Sequence, residues 1–404
     1  MKVNVRGHLW DLLAFRRLVP KRRKRIKKSA AQPLGLDPMN RLAGQLHPGE
    51  QHLVIVDVRD ETATARTFRL AADPGAGNGA LAYFRAGQYL SLKVQVDGVG
   101  TTRPYSISSA PYEALGDDGY YEVTIRRDPD GFLTPYLWDR WQVGTKIVSS
   151  GPCGTFYHEP LRDAGRIVGL AGGSGITPFR SMAREIVHGD LEVGLTLIYG
   201  SSDQDDILFY EELQALQAEA PDRVRVVHVL SCEEVSLEGC EQGFITAEII
   251  DKYADVAGSS FFVCGPQAMY RFVADELARF NLPPRRVRRE VWGATGDASG
   301  EPGFPRQVAG QTFRLVVRNG ADGPLEVPAR ATEPVLVALE RANLVPPSQC
   351  RSGECGFCRS RLLAGEVYVL PDGDGRRAAD RQFGYIHPCA SYPLSDLEVV
   401  VPRS

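Results

Sequence analysis

No stretch of about twenty consecutive apolar residues occurs in this chain, so nothing in it reads as a membrane span. Cysteine is also scarce. Eight among 404 residues are too few for a disulfide scaffold, and four of the eight fall into one pattern, which points to a reducing compartment. The start, Met1–Trp10, lacks the apolar core and small-residue cleavage site of a secretory signal. Internal repeats and low-complexity tracts are missing as well. The expectation is a cytoplasmic protein long enough for two to four separately cored domains.

Charge is unevenly spread. Residues 1–28 hold eleven Lys and Arg against Asp11, so the formal net charge of −3 divides into +10 for this tail and −13 for the rest. Within residues 5–19, Val5, Leu9, Trp10, Leu12, Leu13, Phe15, Leu18 and Val19 are spaced to give a helix one apolar side, and Pro20 is expected to end it. A basic run behind an amphipathic helix, residues 5–28, suits a membrane surface or an acidic partner, and would make the protein peripheral at the inner membrane face. A solvated, partly unfolded tail is the plain alternative. Nucleic acid is not expected as a partner, because the body of the protein is acidic.

The densest chemistry is Cys350-Arg351-Ser352-Gly353-Glu354-Cys355-Gly356-Phe357-Cys358, followed by Cys389. C-x4-C-x2-C with a distant fourth cysteine is the plant-type arrangement that holds a 2Fe-2S cluster on four thiolates. The small residues of the loop let backbone amides approach the cluster sulfides. Zinc is the alternative, although structural zinc sites usually pair two short knuckles. A cluster that carries single electrons needs a source, and the remaining sequence supplies candidates.

Residues 29–50, with Pro33, Gly35, Pro38, Pro48 and Gly49, read as a linker. Short strands follow at Leu53–Asp57, Arg66–Leu70, Gln88–Val96, Tyr120–Arg126 and Lys146–Ser149, with one helix near Phe132–Trp141. This spacing predicts a small antiparallel β-barrel. It contains Arg103-Pro104-Tyr105-Ser106, where a guanidinium for phosphate, a flat ring and a hydroxyl together suit a flavin nucleotide. A strand with alternating polar residues is the plain reading of the same stretch.

Beyond Gly151-Pro152-Cys153-Gly154-Thr155-Phe156 the pattern alternates. Strands are predicted at Arg166–Ala171, Val193–Tyr199, Arg223–Leu230, Phe261–Cys264 and Arg286–Trp292. Helices lie between them at Pro178–Val187, Ile207–Glu219, Ala247–Tyr253 and Ala268–Phe280. That order predicts a doubly wound parallel α/β sheet with its ligand at the carboxyl ends of the strands, where Gly172-Gly173-Ser174-Gly175-Ile176-Thr177-Pro178 and Cys264-Gly265-Pro266 fall. A second linker covers residues 294–307. The last hundred or so residues mix strands (Thr312–Arg318, Pro324–Pro328, Glu366–Leu370, Leu397–Val401) with a helix at Val335–Ala342 around the cysteine loop, an α+β arrangement.

The succession of R-x-Y-S (Arg103–Ser106), G-x-x-T-x-x-L (Gly131–Leu137), G-P-x-G-x-F (Gly151–Phe156), G-G-S-G-I-T-P (Gly172–Pro178), C-G-P (Cys264–Pro266), E-x-W-G (Glu290–Gly293) and the four cysteines resembles the ferredoxin-NADP reductase superfamily. Within it, the resemblance is to reductase components of oxygenases and hydroxylases that end in a plant-type ferredoxin domain. It implies a tail and linker (1–49), an FAD-binding barrel (50–160), an NAD(P)-binding domain (161–293), a linker (294–307) and a 2Fe-2S domain (308–404).

It implies roles too. Arg103 would bind flavin phosphate, Tyr105 would pack on the isoalloxazine and Ser106 would hydrogen-bond near its N5. Thr134, Gly151 and Gly154 would lie along the flavin pyrophosphate. Gly173, Gly175 and Thr177 would line the dinucleotide site, and Cys264, with Gly265 and Pro266, would stand beside the nicotinamide. Ser106 and Cys264 are thus the candidate catalytic residues; Cys350, Cys355, Cys358 and Cys389 are the metal ligands. The expected activity is reduction of FAD by NADH, followed by single-electron transfer through the cluster to an oxygenase, hydroxylase or other one-electron acceptor protein. The reverse flow, and a chiefly docking or redox-sensing role, are the alternatives. NADH is expected over NADPH because Gly200-Ser201-Ser202-Asp203-Gln204-Asp205-Asp206 places acids where a 2′-phosphate would sit; those aspartates would otherwise serve only to cap the helix at Ile207–Glu219.

Overall fold

The computed structural model describes residues 9–29, 37–76, 80–232, 239–290, 293, 295–318, 323–371 and 374–402. The chain forms two compact units, Met1–Leu46 and His47–Ser404. In the first, α1 runs from Leu9 to Lys28 straight through Pro20, so the proline does not end the helix. Leu and Arg before it and Lys and Arg after it are strong helix formers, and they offset the one backbone bond that proline removes. The expected helical residues 5–8 lie outside the described residues. The stretch read as linker holds a second helix, α2 (Pro38–Leu46). Its start is written in the sequence: Asp37 Oδ1 accepts the Met39 N–H at 3.1 Å, and Pro38 takes the first helical position. No described helix is long and apolar enough to cross a membrane.

The second unit begins with an antiparallel sheet of β1 (Gln51–Thr62), β2 (Ala65–Ala72), β3 (Tyr89–Val96), β4 (Val99–Ser106), β5 (Tyr120–Arg126) and β6 (Lys146–Ser149). Their order is β4-β3-β6-β1-β2-β5. Alternate residues such as Leu53, Ile55, Phe68, Leu70, Leu90 and Leu92 point inward, and the short helix α3 (Thr134–Arg140) adds Leu137 to their core. Clean alternation did not pick out β4, although a strand was the plain reading of its second half. It carries the Arg103–Ser106 stretch, and Pro104 inside it is tolerated because β4 is an edge strand.

A parallel sheet follows: β7 (Arg166–Gly172), β8 (Gly194–Ser201), β9 (Val224–Leu230), β10 (Glu241–Gln242), β11 (Ser260–Cys264) and β12 (Val287–Glu290). Helices α4 (Thr177–His188), α5 (Tyr210–Glu219), α6 (Ala247–Tyr253) and α7 (Gln267–Ala278) connect them. The order β10-β9-β8-β7-β11-β12 places a topological switch between β7 and β11. Ligands of open α/β sheets bind in the crevice at such a switch. The last two residues of the strand expected at Arg286–Trp292 lie outside the described residues.

In the remaining part β13 (Thr312–Arg318) pairs antiparallel with β14 (Pro324–Arg330) and parallel with a later strand, β19 (Leu397–Val400). Helix α8 (Val335–Arg341) covers this sheet with Val335, Ala338 and Leu339. Past the cysteine loop come β15 (Ser360–Ala364), β16 (Val367–Val369), α9 (Ala378–Gln382), β17 (Tyr385–Ile386) and β18 (Ser391–Pro393). The segment expected as a second linker is packed, not free. Phe304 meets Tyr368 edge-on at 5.3 Å, Tyr368 Oη donates to Pro302 O, and Tyr392 Oη donates to Thr295 O.

Candidate electron-transfer site

Two strand-end loops meet at the switch between β7 and β11. A Cβ placed on Gly175 would lie 2.2 Å from Cys264 O and 2.7 Å from Gly265 Cα, so only glycine lets the two loops touch. Thr177 Oγ1 donates to Ser174 O at 3.0 Å and closes the first loop, while Tyr199 Oη donates to Gly173 O at 3.1 Å. Cys264 is fully buried at the tip of β11. Just behind it the Gly265 N–H donates to Tyr270 Oη, which in turn donates to Glu290 O at the end of β12.

Facing these loops is Arg126 of β5. Its Nη1 donates to Asp206 Oδ1 at 2.6 Å and to Thr64 Oγ1 at 3.0 Å. Its Nη2 is buried without a partner among the described residues and lies 3.8 Å from the Cβ position of Gly173. A guanidinium nitrogen left unpaired beside a glycine-rich loop and a helix N-terminus fits an anionic pyrophosphate. The aspartates of residues 203–206 do not cap α5, which starts only at Tyr210 behind a left-handed Phe209. Asp203 Oδ1 instead accepts the Asp206 N–H, and Asp206 is neutralised by Arg126.

Along β4, Ser106 Oγ is buried and has no hydrogen-bond partner among the described residues, an arrangement costly unless a polar group completes it. A flavin ring nitrogen is such a group. Arg103 Nη1 donates to Thr101 Oγ1 at 2.5 Å and to Thr102 O at 2.8 Å. Burial, with Arg351 beside it, pushes the Arg103 guanidinium down to about 10. The nearby Glu340 carboxylate pairs with Arg351, so among the described residues the Arg103 guanidinium has no carboxylate of its own, which fits a phosphate. Tyr105 is half-buried on the same strand.

Gly154 has φ +97, and a Cβ there would sit 2.8 Å from the Tyr89 ring; one on Gly151 would lie 2.2 Å from Pro48 O. Both glycines therefore already serve backbone packing. Thr134 is occupied differently: its Oγ1 donates to Asp128 O at 3.0 Å and accepts the Asp128 N–H at 2.9 Å, closing the turn before α3.

The four cysteines converge. Cys358 Sγ lies 3.4 Å from Cys389 Sγ, and the Cys350 thiol contacts those of Cys355 and Cys389. Backbone amides of Cys355 and Phe357 point at the sulfurs of Cys350 and Cys355, each at 3.4 Å. Two pairs of thiols with donated amide hydrogens fit a two-iron core in which each iron takes two thiolates. No group of three or more His, Cys, Asp or Glu among the described residues is arranged around a single ion. Cys355 is the exposed one of the four and the other three are buried. His387, also buried, joins its Nδ1 to Gly353 O at 2.5 Å and so holds the loop from behind. Tyr89, the first residue of β3, stands on the barrel side of this loop, close enough to feel Cys350, Cys355 and Cys153.

Several of these residues carried no role in the sequence. Glu290 was visible only as a letter of E-x-W-G; its carboxyl is buried with Oε2 unpartnered among the described residues, and burial, then Glu354 and Cys350, holds it well above the usual carboxylate range. Val291 and Trp292 of that motif lie outside the described residues. Arg126 had no local signal at all.

Residues 52–158 match the oxidoreductase FAD-binding domain, 170–275 the oxidoreductase NAD-binding domain, and 319–394 the 2Fe-2S iron-sulfur cluster binding domain. The chain is 32% identical over 353 residues to the ferredoxin reductase component of 3-ketosteroid-9-alpha-monooxygenase from Mycobacterium tuberculosis, covering 85% of this chain and 93% of that one. It is 28% identical over 360 residues to the glycine betaine monooxygenase reductase subunit of Chromohalobacter salexigens, covering 87% and 95%. Among solved structures it resembles phthalate dioxygenase reductase, described as modular for electron transfer from pyridine nucleotides to a 2Fe-2S centre. That likeness has a TM-score of 0.61 and 25% identity over 88% of this chain and 98% of that one. The chain belongs to the family of flavin and iron-sulfur reductase components of oxygenase systems. It is an oxidoreductase with FAD, a pyridine nucleotide and a 2Fe-2S cluster as its redox groups.

Proposed function

We propose that this reductase prefers NADH and delivers single electrons from its cluster to a partner oxygenase or hydroxylase. A nicotinamide gives up two electrons as hydride and a cluster accepts one, so FAD, which handles both, belongs between them. In this reading the limits 50–160, 161–293 and 308–404 bound the three working parts. Ser106 Oγ hydrogen-bonds the flavin ring, Tyr105 packs on it, and Arg103 balances its phosphate. Gly151, Gly154 and Thr134 lie along its pyrophosphate. Gly173, Gly175, Thr177 and the spare Nη2 of Arg126 hold the dinucleotide, while Cys264, Gly265 and Pro266 keep the nicotinamide end dry and close to the flavin. Cys350, Cys355, Cys358 and Cys389 hold the cluster.

The observation that carries the nucleotide preference is the loop after β8. Among the described residues Asp203 and Asp205 have no cationic side-chain partner, so a 2′-phosphate of about −1.5 to −2 charge meets repulsion. Arg126 weakens this field by neutralising Asp206, yet its free nitrogen faces Gly173 and not the loop. Steady-state dye reduction with each nucleotide tests the preference. A kcat/KM at least tenfold higher for NADH is expected, about 1.4 kcal/mol, and Ser202→Arg narrows the gap; equal values or a preference for NADPH reject the reading.

The amphipathic tail is assigned to anionic lipid. Arg16 and the run Lys21–Lys28 are exposed along α1, as are Met39, Leu42 and Leu46 of α2. Full-length protein is expected to sediment with anionic vesicles at low salt and to be released as salt rises, whereas protein lacking residues 1–46 stays in solution with its dye reduction intact. Equal sedimentation of both forms removes the tail from this account.

A further inference from the structure

The seam between the cysteine loop and the flavin barrel is made of polar pairs that none of the cofactor roles above requires. Arg351 follows Cys350 in a left-handed conformation, φ +56, and donates from Nη1 and Nη2 to Glu340 Oε1 and Oε2 at 2.5 and 2.9 Å. Both side chains are buried. Glu340 Oε1 also accepts a hydrogen bond from Thr101 Oγ1 of β4 at 3.0 Å, across 239 residues of sequence. Next to it the hydroxyls of Thr102 and Ser348 share a hydrogen bond of 2.5 Å, and Ser91 Oγ donates to Gln349 O at 2.9 Å. Gly100 packs so closely that a Cβ there would lie 3.0 Å from Val345 Cγ2. The segment leading into the first cluster ligand is thereby fastened to β3 and β4, and β4 is the strand of Arg103, Tyr105 and Ser106.

A buried, bidentate Arg–Glu pair fixes geometry more than it adds stability, and removing one partner leaves an uncompensated charge. We propose that Glu340 is a positioning residue for electron transfer: through Arg351 on one side and Thr101 on the other, it holds the cysteine loop in register with β4. It thereby sets how fast electrons cross from flavin to cluster, and takes no part in hydride arrival. The step rests on the cofactor assignments above. With these groups bound, each hydride taken from NADH would leave NAD+ and supply two electrons and one proton; the electrons would pass one at a time through the cluster held by Cys350, Cys355, Cys358 and Cys389 to the acceptor, and the proton would go to solvent.

The test uses the full-length protein with its cofactors, as wild type, Glu340→Gln, Thr101→Val and Cys355→Ser. NADH-driven reduction of a small dye reads the flavin, and reduction of cytochrome c reads the cluster. Glu340→Gln is expected to leave dye reduction within about twofold while cytochrome c reduction falls about tenfold or more, the scale of loss that a small misplacement causes. Thr101→Val, which keeps the ion pair, shifts the same ratio less. Hydrogen exchange at residues 345–351 rises in both, and the electron paramagnetic resonance spectrum of the chemically reduced cluster stays as in wild type. The proposal is overturned if the two rates fall in step, or if neither the ratio nor exchange at residues 345–351 changes. Cytochrome c reduction that survives in Cys355→Ser would instead overturn the cluster assignment beneath it.

Discussion

Ser106 and His228 are both buried polar side chains with an unpaired atom, and they mean different things. Ser106 sits on an edge strand beside Tyr105, where the flavin ring of the proposed reading would supply its missing partner. His228, on β9 under Tyr199 and Tyr210, has no such opening; its Nε2 meets Gln214 at 3.3 Å and burial pushes it from 6.5 to about 4. Because the folded value is the lower one, the unfolded chain binds the extra proton first. Stability is complete above about pH 6.5 and falls as pH drops toward 4, by roughly 2 kcal/mol at pH 5. Denaturant titrations at pH 7 and pH 5 should show this loss in wild type and a smaller one in His228→Gln; matching losses would clear His228 of the effect. Motif residues such as Arg103 and Cys350 were legible from spacing. Glu340, Arg126 and Arg180 were not, since each takes its meaning from a partner far away in sequence.

Elements were easiest to read where periodicity was clean, as in the helices and strands from Arg166 to Phe280. They were hardest where a breaker sat inside them. Pro104 left β4 readable only as the plain alternative and Pro20 suggested an end to α1, although an edge position excuses the first and strong helix formers carry the chain past the second. The loop of β7 was recognisable as glycine-rich, but the need for glycine at residue 175 follows only from its contact with Cys264. Gly175→Ala is expected to push the two loops apart and raise the KM for NADH by about tenfold or more, with flavin content and visible spectrum unchanged. An unaltered KM would mean that the loops do not shape the nucleotide site.

At the scale of the whole molecule, the order of barrel, parallel sheet and cysteine domain could be read from the sequence, because each signature is local. Their mutual placement could not. Barrel and sheet are joined by Arg180, which donates to Glu122 Oε2 at 2.7 Å and to Ser108 O at 3.1 Å, binds Glu212, and lies over the Phe209 ring. Arg184 bridges Glu212 and Glu113 beside it. Nothing in the pattern of a helix announces which of its arginines will be buried between domains. The same holds for the seam at Glu340, where three separate segments must already be folded before the charge finds its partner.

The account's central claim is a single path from pyridine nucleotide through flavin to the cluster. Rapid mixing of anaerobic protein with NADH, followed by freezing at intervals for electron paramagnetic resonance, observes that path directly. The account predicts bleaching of the flavin absorbance first and then the signal of a reduced 2Fe-2S cluster. In Cys355→Ser the bleaching remains and the signal is missing. A cluster signal that rises in flavin-stripped protein, or bleaching in wild type with the cluster left oxidised, would contradict it.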